Sequence, residues 1–453
     1  MIEKRRTVRR KKPRLKFNKR MSRNLGIIYM LIVGFLFVLC GKIAYLNVAK
    51  GDDYSIQVLQ QQSFTSRVIP YKRGDIKDRN GNVLATSVMV YNLVIDAKLI
   101  MSDEEKYLEP TVYALVKYFG FKEDDLITGI RERKKSNYWV ARKELKYEEI
   151  KEFQEYLEGK FADTRDEKDR VKNTKGVWFE KQYKRMYPYN SLACSVLGFS
   201  NVNNEASIGI ECSYSDQLNG LEGREYGYMD AENNMEMVIK DAENGNNIIS
   251  SIDMNIQRIV QKAITKYMDK YNPKRIAVVV ADPNTGEILA MSDDNTFNLN
   301  KPTSSHKGYS NAEWKKLSKE KQAEVLNSVW SNYCITDSFD PGSTAKAFTV
   351  AAGIEEGVIN KKTKYNCDGY QKVDVFTIGC HGGDGQGMLD AKEAVAMSCN
   401  DYMMYIGRLL GADEFIKYQA RYGFGMKTGI DLPGETRGII YDKERGMGAA
   451  TLA

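Results

Sequence analysis

The first 46 residues set the strongest limit on how this chain can fold, because a densely basic tip runs straight into an uncharged apolar stretch. Residues 1–24 carry twelve Lys or Arg against the single acid Glu3, a net of +11. Leu25 to Gly41 then continue for seventeen residues without a charge, and Ile43 to Leu46 extend the apolar run past Lys42. That length crosses a bilayer when the flanking lysines snorkel to the interface. The positive cluster keeps the tip on the cytoplasmic side. A cleaved secretory signal shares the basic start. It needs a shorter apolar core and a small-residue cleavage site, for which Cys40-Gly41-Lys42 is a poor match. The sequence therefore predicts a cytoplasmic tail over 1–24, one transmembrane anchor over 25–46 and a single-pass protein whose bulk lies outside the cell membrane.

Charge elsewhere agrees with that topology. The formal net charge of +7 over 453 residues sits in the tip, leaving −4 for the rest. A basic tip on a mildly acidic body marks a membrane and no nucleic-acid partner. With 42% hydrophobic and 28% charged residues, the chain is long enough for two or three folded domains. Seven cysteines are too few for a disulfide scaffold at this size. Cys367 and Cys380 flank a short polar loop, where an oxidising exterior leaves a bridge and two free thiols as alternatives. With only His306 and His381, no multi-histidine metal site can form, so neither a metal nor another cofactor is expected.

Local patterns order the body. Asn80-Gly81 between apolar runs predicts a two-residue type I′ hairpin turn, and Val83 to Asp96 reads as extended. Residues 102–185 suggest helices with solvated faces, with a surface loop over 163–175. Ile256, Ile259, Val260, Ala263, Ile264 and Tyr267 recur at helical spacing, predicting a helix over 255–270. Asp282-Pro-Asn-Thr-Gly286 is a turn between strands at 276–281 and 287–291.

The segment with chemistry in it is Asp340-Pro-Gly-Ser343-Thr-Ala-Lys346. Ser-x-x-Lys is the acylating pair of serine enzymes that react with penicillin, but the same pattern recurs at Ser304–Lys307 and Ser318–Lys321. Only Ser343 follows Pro-Gly and opens an apolar helix (Ala345, Ala347, Phe348, Val350, Ala351, Ala352, Ile354) with Gly357 as a stop. A helix apolar nearly all round belongs inside a domain. Residues three apart share a face, so Lys346 would lie beside the Ser343 hydroxyl. Desolvation lowers a lysine pKa, and a neutral amine can take the serine proton. An N-capping serine with a snorkelling lysine is the bland alternative. Ser398-Cys-Asn400 supplies a second hydroxyl to relay the proton and a carboxamide to orient a peptide. Cys399 reads as a small buried residue pointing away. Ser-x-Asn also arises at Ser22-Arg-Asn24.

Together with the anchor, several further segments resemble those of class B penicillin-binding proteins of the division and sporulation branch. They are Arg73-Gly-Asp-Ile with Asp78-Arg-Asn-Gly81, Gly209-Ile-Glu211 with Leu218-Asn-Gly220, Asp282 through Met291, Ser343 through Lys346, Ser398-Cys-Asn400, and Tyr422-Gly-Phe-Gly through Leu432-Pro-Gly-Glu435. The resemblance covers nearly everything from about residue 67. It implies an α+β protein: an elongated extracytoplasmic pedestal (47–250) of the dimerisation type, then a transpeptidase domain (251–453) with helices on an antiparallel sheet, incomplete here. It implies a peptidoglycan D,D-transpeptidase with Ser343 as nucleophile, Lys346 as general base, Ser398 as proton relay and Asn400 orienting the substrate. Stem peptides and β-lactams would be its ligands, and a SEDS-type glycan polymerase with division or sporulation proteins its partners.

Two departures qualify this. The family's third motif, Lys-[Ser/Thr]-Gly, is mimicked only by Lys427-Thr-Gly429, too close to Asn400 and followed by Ile-Asp-Leu-Pro-Gly-Glu. The chain is accordingly expected to stop short of that motif, and the 453-residue piece alone to be inactive. Cys380-His-Gly-Gly-Asp384 stands where relatives show Gly-His-Gly, which puts a role for His381 in doubt. The rival readings are a β-lactam sensor, a catalytically incomplete scaffold of a division complex, and, weakest, a secreted β-lactamase.

Overall fold

The computed structural model describes residues 23–24, 26–42, 45, 65–201, 203–229, 235–304, 308–373 and 375–440. The chain divides into two compact units, one of Met1–Ile69 with Glu222–Ala242 and one of Pro70–Leu221 with Glu243–Ala453. In the first, Thr65–Ile69 and Met235–Lys240 flank Gly223–Met229 in a three-stranded antiparallel sheet. Gly223 must be glycine, since a Cβ there would lie 2.4 Å from the Lys240 carbonyl oxygen. Residues 26–42 are helical with Ile27, Phe35 and Phe37 exposed. Among the described residues no helix is long and apolar enough to cross a membrane. The ends of the predicted 25–46 anchor lie outside those residues, as does the tail over 1–22.

The second unit is built on a five-stranded mixed sheet. Its spine is Val83–Ile95, paired antiparallel with Val177–Met186 on one side and Trp139–Leu145 on the other. The start of the spine pairs with Ile76–Lys77, which pairs in parallel with Ile248–Ile249. Helices Glu104–Phe119, Glu123–Glu132 and Tyr147–Leu157 contribute Leu115, Ile130, Ile150 and Phe153 to a core with Leu93 and Ile95 of the spine.

Buried charge ties distant segments together. Glu211 accepts from Arg73 Nε at 2.8 Å, Arg185 Nε at 2.6 Å and the Tyr187 hydroxyl at 3.1 Å. Arg73 and Glu211 are fully buried. A buried carboxylate is tolerable because each oxygen has a charged donor. A second core runs from Ile76, Leu84, Leu197 and Leu218 into Ile252, Met291, Phe297 and Leu299. There Gln257, on helix Met254–Tyr271, clamps the Met291 backbone with two 2.9 Å hydrogen bonds. That helix is started by Asp253, which accepts from the Asn255 and Ile256 amides. It covers the antiparallel hairpin Ala277–Ala281 and Ile288–Asp293.

Three local expectations change. Gly81 has φ +87°, but Asn80 is not left-handed, so the turn is no type I′ pair. Asp78 instead organises a longer loop by accepting from the amides of Asn80 and Asn82. The stretch expected as a loop over 163–175 contains helix Arg165–Asn173, nucleated by a Thr164/Glu167 capping box. Nothing on that helix is buried, so its start signal, and no apolar stripe, defines it. The helix opened by Ser343 is also not enclosed: Gly342–Ala345 form a 3₁₀ turn, Lys346–Glu355 an α-helix, and only Ala352 and Gly353 are buried. Phe348 and Ile354 are exposed. Composition cannot say how deeply a face is covered: Phe348 meets the rings of Tyr422 and Phe424 at 5.0 and 5.1 Å and still keeps part of its surface in solvent.

Candidate active site

A third core places the chemistry-bearing residues. Ala352 and Ile359 pack against Tyr402, Met403 and Ile406 of helix Asn400–Arg421, joined by Cys367, Cys380, Leu389, Ala394 and Cys399. Here the first turn of the helix carrying Ser343 meets the start of the helix carrying Asn400.

Ser398 sits at the join. Helix Ala391–Ala396, opened by an Asp390/Glu393 capping box, ends on Ser398 in the left-handed region at φ +52°. Such a helix-ending position favours glycine, and a residue with a Cβ costs roughly 1–2 kcal/mol there. The hydroxyl explains the serine: Ser398 Oγ donates to Ser343 Oγ at 2.9 Å and accepts from Lys346 Nζ at 3.0 Å. Lys346 Nζ also donates to the Ser398 carbonyl and to Asn400 Oδ1, both at 2.6 Å. Asn400 is held by its Nδ2 donating to the Gly379 carbonyl at 2.8 Å. Ser343, Lys346, Ser398 and Asn400 thus meet, though 343 and 400 are 57 positions apart in sequence.

Three acceptors for three N–H groups describe an ammonium. Burial pushes the Lys346 pKa down, against the nearby Cys399 and Cys380 thiols, which act to raise it. When Lys346 loses a proton it must release one acceptor, and its lone pair can then receive the Ser398 hydroxyl proton while Ser398 Oγ receives that of Ser343. Ser343 itself is exposed and reachable from solvent.

Other motif residues lie elsewhere. Lys427-Thr-Gly429 is in no strand, and its Thr428 amide and hydroxyl and Gly429 amide donate to the Glu435 carboxylate. Those groups are spent on the protein itself. Ser318 caps helix Lys319–Trp330, and Ser304–Lys307 falls partly outside the described residues. His381 is exposed and His306 lies outside the described residues. A cavity of about 520 Å³ lined by Arg79, Ile248, Met291 and Asp431 shares no lining residue with the Ser343 cluster.

Two features had no sequence reading, and a third extends one. Gly379 anchors Asn400. Asp401, 1% exposed, accepts from the Tyr365 hydroxyl and the Asp368 amide at 3.0 and 3.1 Å. Cys399 does not stand apart: its sulfur is 3.7 Å from that of Cys380, which is 3.7 Å from that of Cys367. All three are free thiols. A charged residue after Ser-Cys-Asn was a faint sign of the second. The others depend on chain reversals that no local pattern encodes.

Comparison with known proteins agrees with this geometry. Residues 68–250 match the family described as penicillin-binding protein dimerisation domain, and residues 276–453 match the penicillin-binding protein transpeptidase domain. Stage V sporulation protein D of Bacillus subtilis is 27% identical over 92% of the chain and 60% of its own length. Peptidoglycan D,D-transpeptidase MrdA of Acinetobacter baumannii is 27% identical over 91% of the chain and 60% of its own. The chain therefore spans about 60% of the length of these curated relatives. Among solved structures, penicillin-binding protein 2X of Streptococcus thermophilus superposes with a TM-score of 0.65 at 22% identity, covering 86% of this chain and 56% of that one. PBP2 of Helicobacter pylori, solved in complex with MreC, gives 0.62 at 22% identity over 86% and 72%. These two likenesses establish the fold, an α+β transpeptidase architecture with its pedestal. With two family matches in the expected order over most of its length, the chain belongs to the class B penicillin-binding proteins.

Proposed function

We propose that this chain is the catalytic part of a peptidoglycan D,D-transpeptidase that works through a serine acyl-enzyme. The observation that carries the reading is the hydrogen-bonded series Ser343, Ser398, Lys346, Asn400. Neutral Lys346 draws the Ser398 proton, Ser398 Oγ draws that of Ser343, and Ser343 Oγ attacks the penultimate D-Ala carbonyl of a stem peptide. The carbonyl carbon gains a bond to Ser343 Oγ and loses its bond to the leaving nitrogen. That nitrogen takes the proton back along the same path, so terminal D-Ala departs as an amine. An acceptor amine from a neighbouring strand reverses these steps and completes the cross-link. Asn400, fixed by Gly379, presents its amide edge to the donor peptide. A β-lactam enters as the donor mimic and remains on Ser343.

The assignment extends to the setting. The basic tip and the apolar stretch support a single-pass anchor with a cytoplasmic N-terminus and an extracytoplasmic body, divided into a pedestal over 47–250 and a transpeptidase domain over 251–453. Partners would be a SEDS-type glycan polymerase and other envelope proteins of division or sporulation. The carboxylate-binding side of the pocket, given by Lys-[Ser/Thr]-Gly in the family, is not furnished by Lys427-Thr-Gly429, whose groups are held by Glu435. The alternative reading is a scaffold without turnover.

Fluorescent penicillin labelling of the full-length gene product separates the two. The wild type should label covalently and Ser343→Ala should not. Equal labelling removes Ser343 from the mechanism, and no labelling of a folded wild type supports the scaffold.

A further inference from the structure

Behind Ser398 and Asn400, three segments bring sulfur atoms together. Cys367 ends the strand Tyr365–Cys367, Cys380 follows the strand Phe376–Gly379, and Cys399 caps helix Asn400–Arg421. All three are buried, and their sulfurs lie within 4.8 Å of one another. Among the described residues this is the only group of three or more His, Cys, Asp or Glu side chains that converges in this way.

We infer that Cys367, Cys380 and Cys399 form a binding site for one zinc ion. This revises the expectation of no metal drawn from the two histidines, and it stands apart from the transpeptidase reading. Four arguments support it. First, zinc takes thiolates at about 2.3 Å in a tetrahedron, whose edges are then about 3.8 Å. The Cys367–Cys380 and Cys380–Cys399 sulfur separations are both 3.7 Å. Second, two sulfurs receive backbone N–H groups of the first helical turn: Asp401 donates to Cys380 at 3.4 Å and Tyr402 to Cys399 at 3.3 Å. Helix N-termini favour negative charge, and a metal-bound sulfur is a thiolate. Third, a disulfide between any two would strand the third, whereas one ion takes all. Fourth, zinc prefers sulfur to the carboxylates and carbonyls that suit magnesium or calcium.

Binding releases three thiol protons to solvent and forms three zinc–sulfur bonds, with no change of oxidation state. The fourth position is left to a donor outside the three, water in the simplest case. The ion would tie the strand ending at Gly379, whose carbonyl holds Asn400, to the turn that carries Ser398. The cluster is therefore a staple for the positions of both.

The test is metal content of the full chain produced with zinc supplied and dialysed under reducing conditions. One zinc per chain is expected by mass spectrometry, released when an organomercurial titrates the thiols. Cys367→Ser and Cys380→Ser should lose it and Cys212→Ser should keep it. Should the serine variants fail to fold, cobalt(II) loading of the wild type decides. Intense sulfur-to-cobalt charge transfer with tetrahedral visible bands supports the site. Substoichiometric zinc in the wild type, a disulfide among the three, or the weak spectrum of oxygen-bound octahedral cobalt overturns it.

Discussion

Ser398 Oγ lies 2.9 Å from Ser343 Oγ and 3.0 Å from Lys346 Nζ, so the second serine stands between nucleophile and amine. Ser398→Ala removes that link while the Lys346 bonds to the residue 398 carbonyl and Asn400 Oδ1 remain. Acylation by a β-lactam should fall by about 10²–10⁴-fold, the span of a lost proton-transfer group. The melting temperature should hardly change. Stopped-flow or gel-based acylation of the full-length gene product measures it. A rate within a few-fold of wild type would show that Lys346 reaches Ser343 without the relay.

Arg73 and Arg185 share the carboxylate of Glu211, and all three side chains are almost without solvent. Glu211→Gln leaves two buried guanidinium groups facing a neutral amide whose NH₂ is itself a donor. Removing one member of a buried ion group costs about 3–5 kcal/mol. The exposed pair Arg79–Glu287, at 3.4 Å, is the contrast: Glu287→Gln should cost less than about 1 kcal/mol. Chemical denaturation of both variants tests the difference, and similar losses would contradict it.

Asp293, 1% exposed, is pushed by burial to a pKa of about 6, against the amides of Tyr333 and Asn295 that favour its charged form. Between the ordinary value of 3.8 and about 6 the folded chain holds a proton that the unfolded chain has lost. The group's contribution therefore favours folding at the acid end and weakens as pH rises through this window, by roughly 3 kcal/mol. Asp293→Asn has no such titration. Its stability relative to wild type should improve from pH 4 towards 6 and then stay level. A pH-independent difference in urea midpoints would remove the assignment.

These sites differ in how far the sequence disclosed them. Ser343 and Lys346 were legible because a helical turn fixes neighbours three apart, and helix Met254–Tyr271 because its apolar stripe has one period. Ser398 and Asn400 were legible as a motif, but not Ser398's left-handed backbone, which comes from ending one helix immediately before another. Cys367 and Cys380 were legible as neighbours, and they are free thiols 3.7 Å apart; their convergence with Cys399 was not legible, because no fixed spacing joins the pair to a helix cap. Burial of the Ser343 helix was misjudged, since an apolar sequence states a preference and only the fold decides where it is met.

Lys346 should impose the pH dependence of acylation. Its ammonium is desolvated, so its pKa lies below the ordinary 10.5, and the attacking path needs the neutral amine. Acylation should rise with pH and level off at a value below 10.5, marking the depressed pKa. Stability follows the same sign: between the depressed value and 10.5 the unfolded chain binds the proton that the folded chain has released, so this group's contribution grows with pH. Lys346→Arg cannot deprotonate in the working range. It should lose the acylation limb altogether, along with about 10²–10⁴-fold in rate, while keeping a positive donor for Asn400. The full-length gene product assayed from pH 6 to 10 with a chromogenic cephalosporin provides the profile. An unchanged limb in Lys346→Arg would assign the titration, and with it the base, to another group.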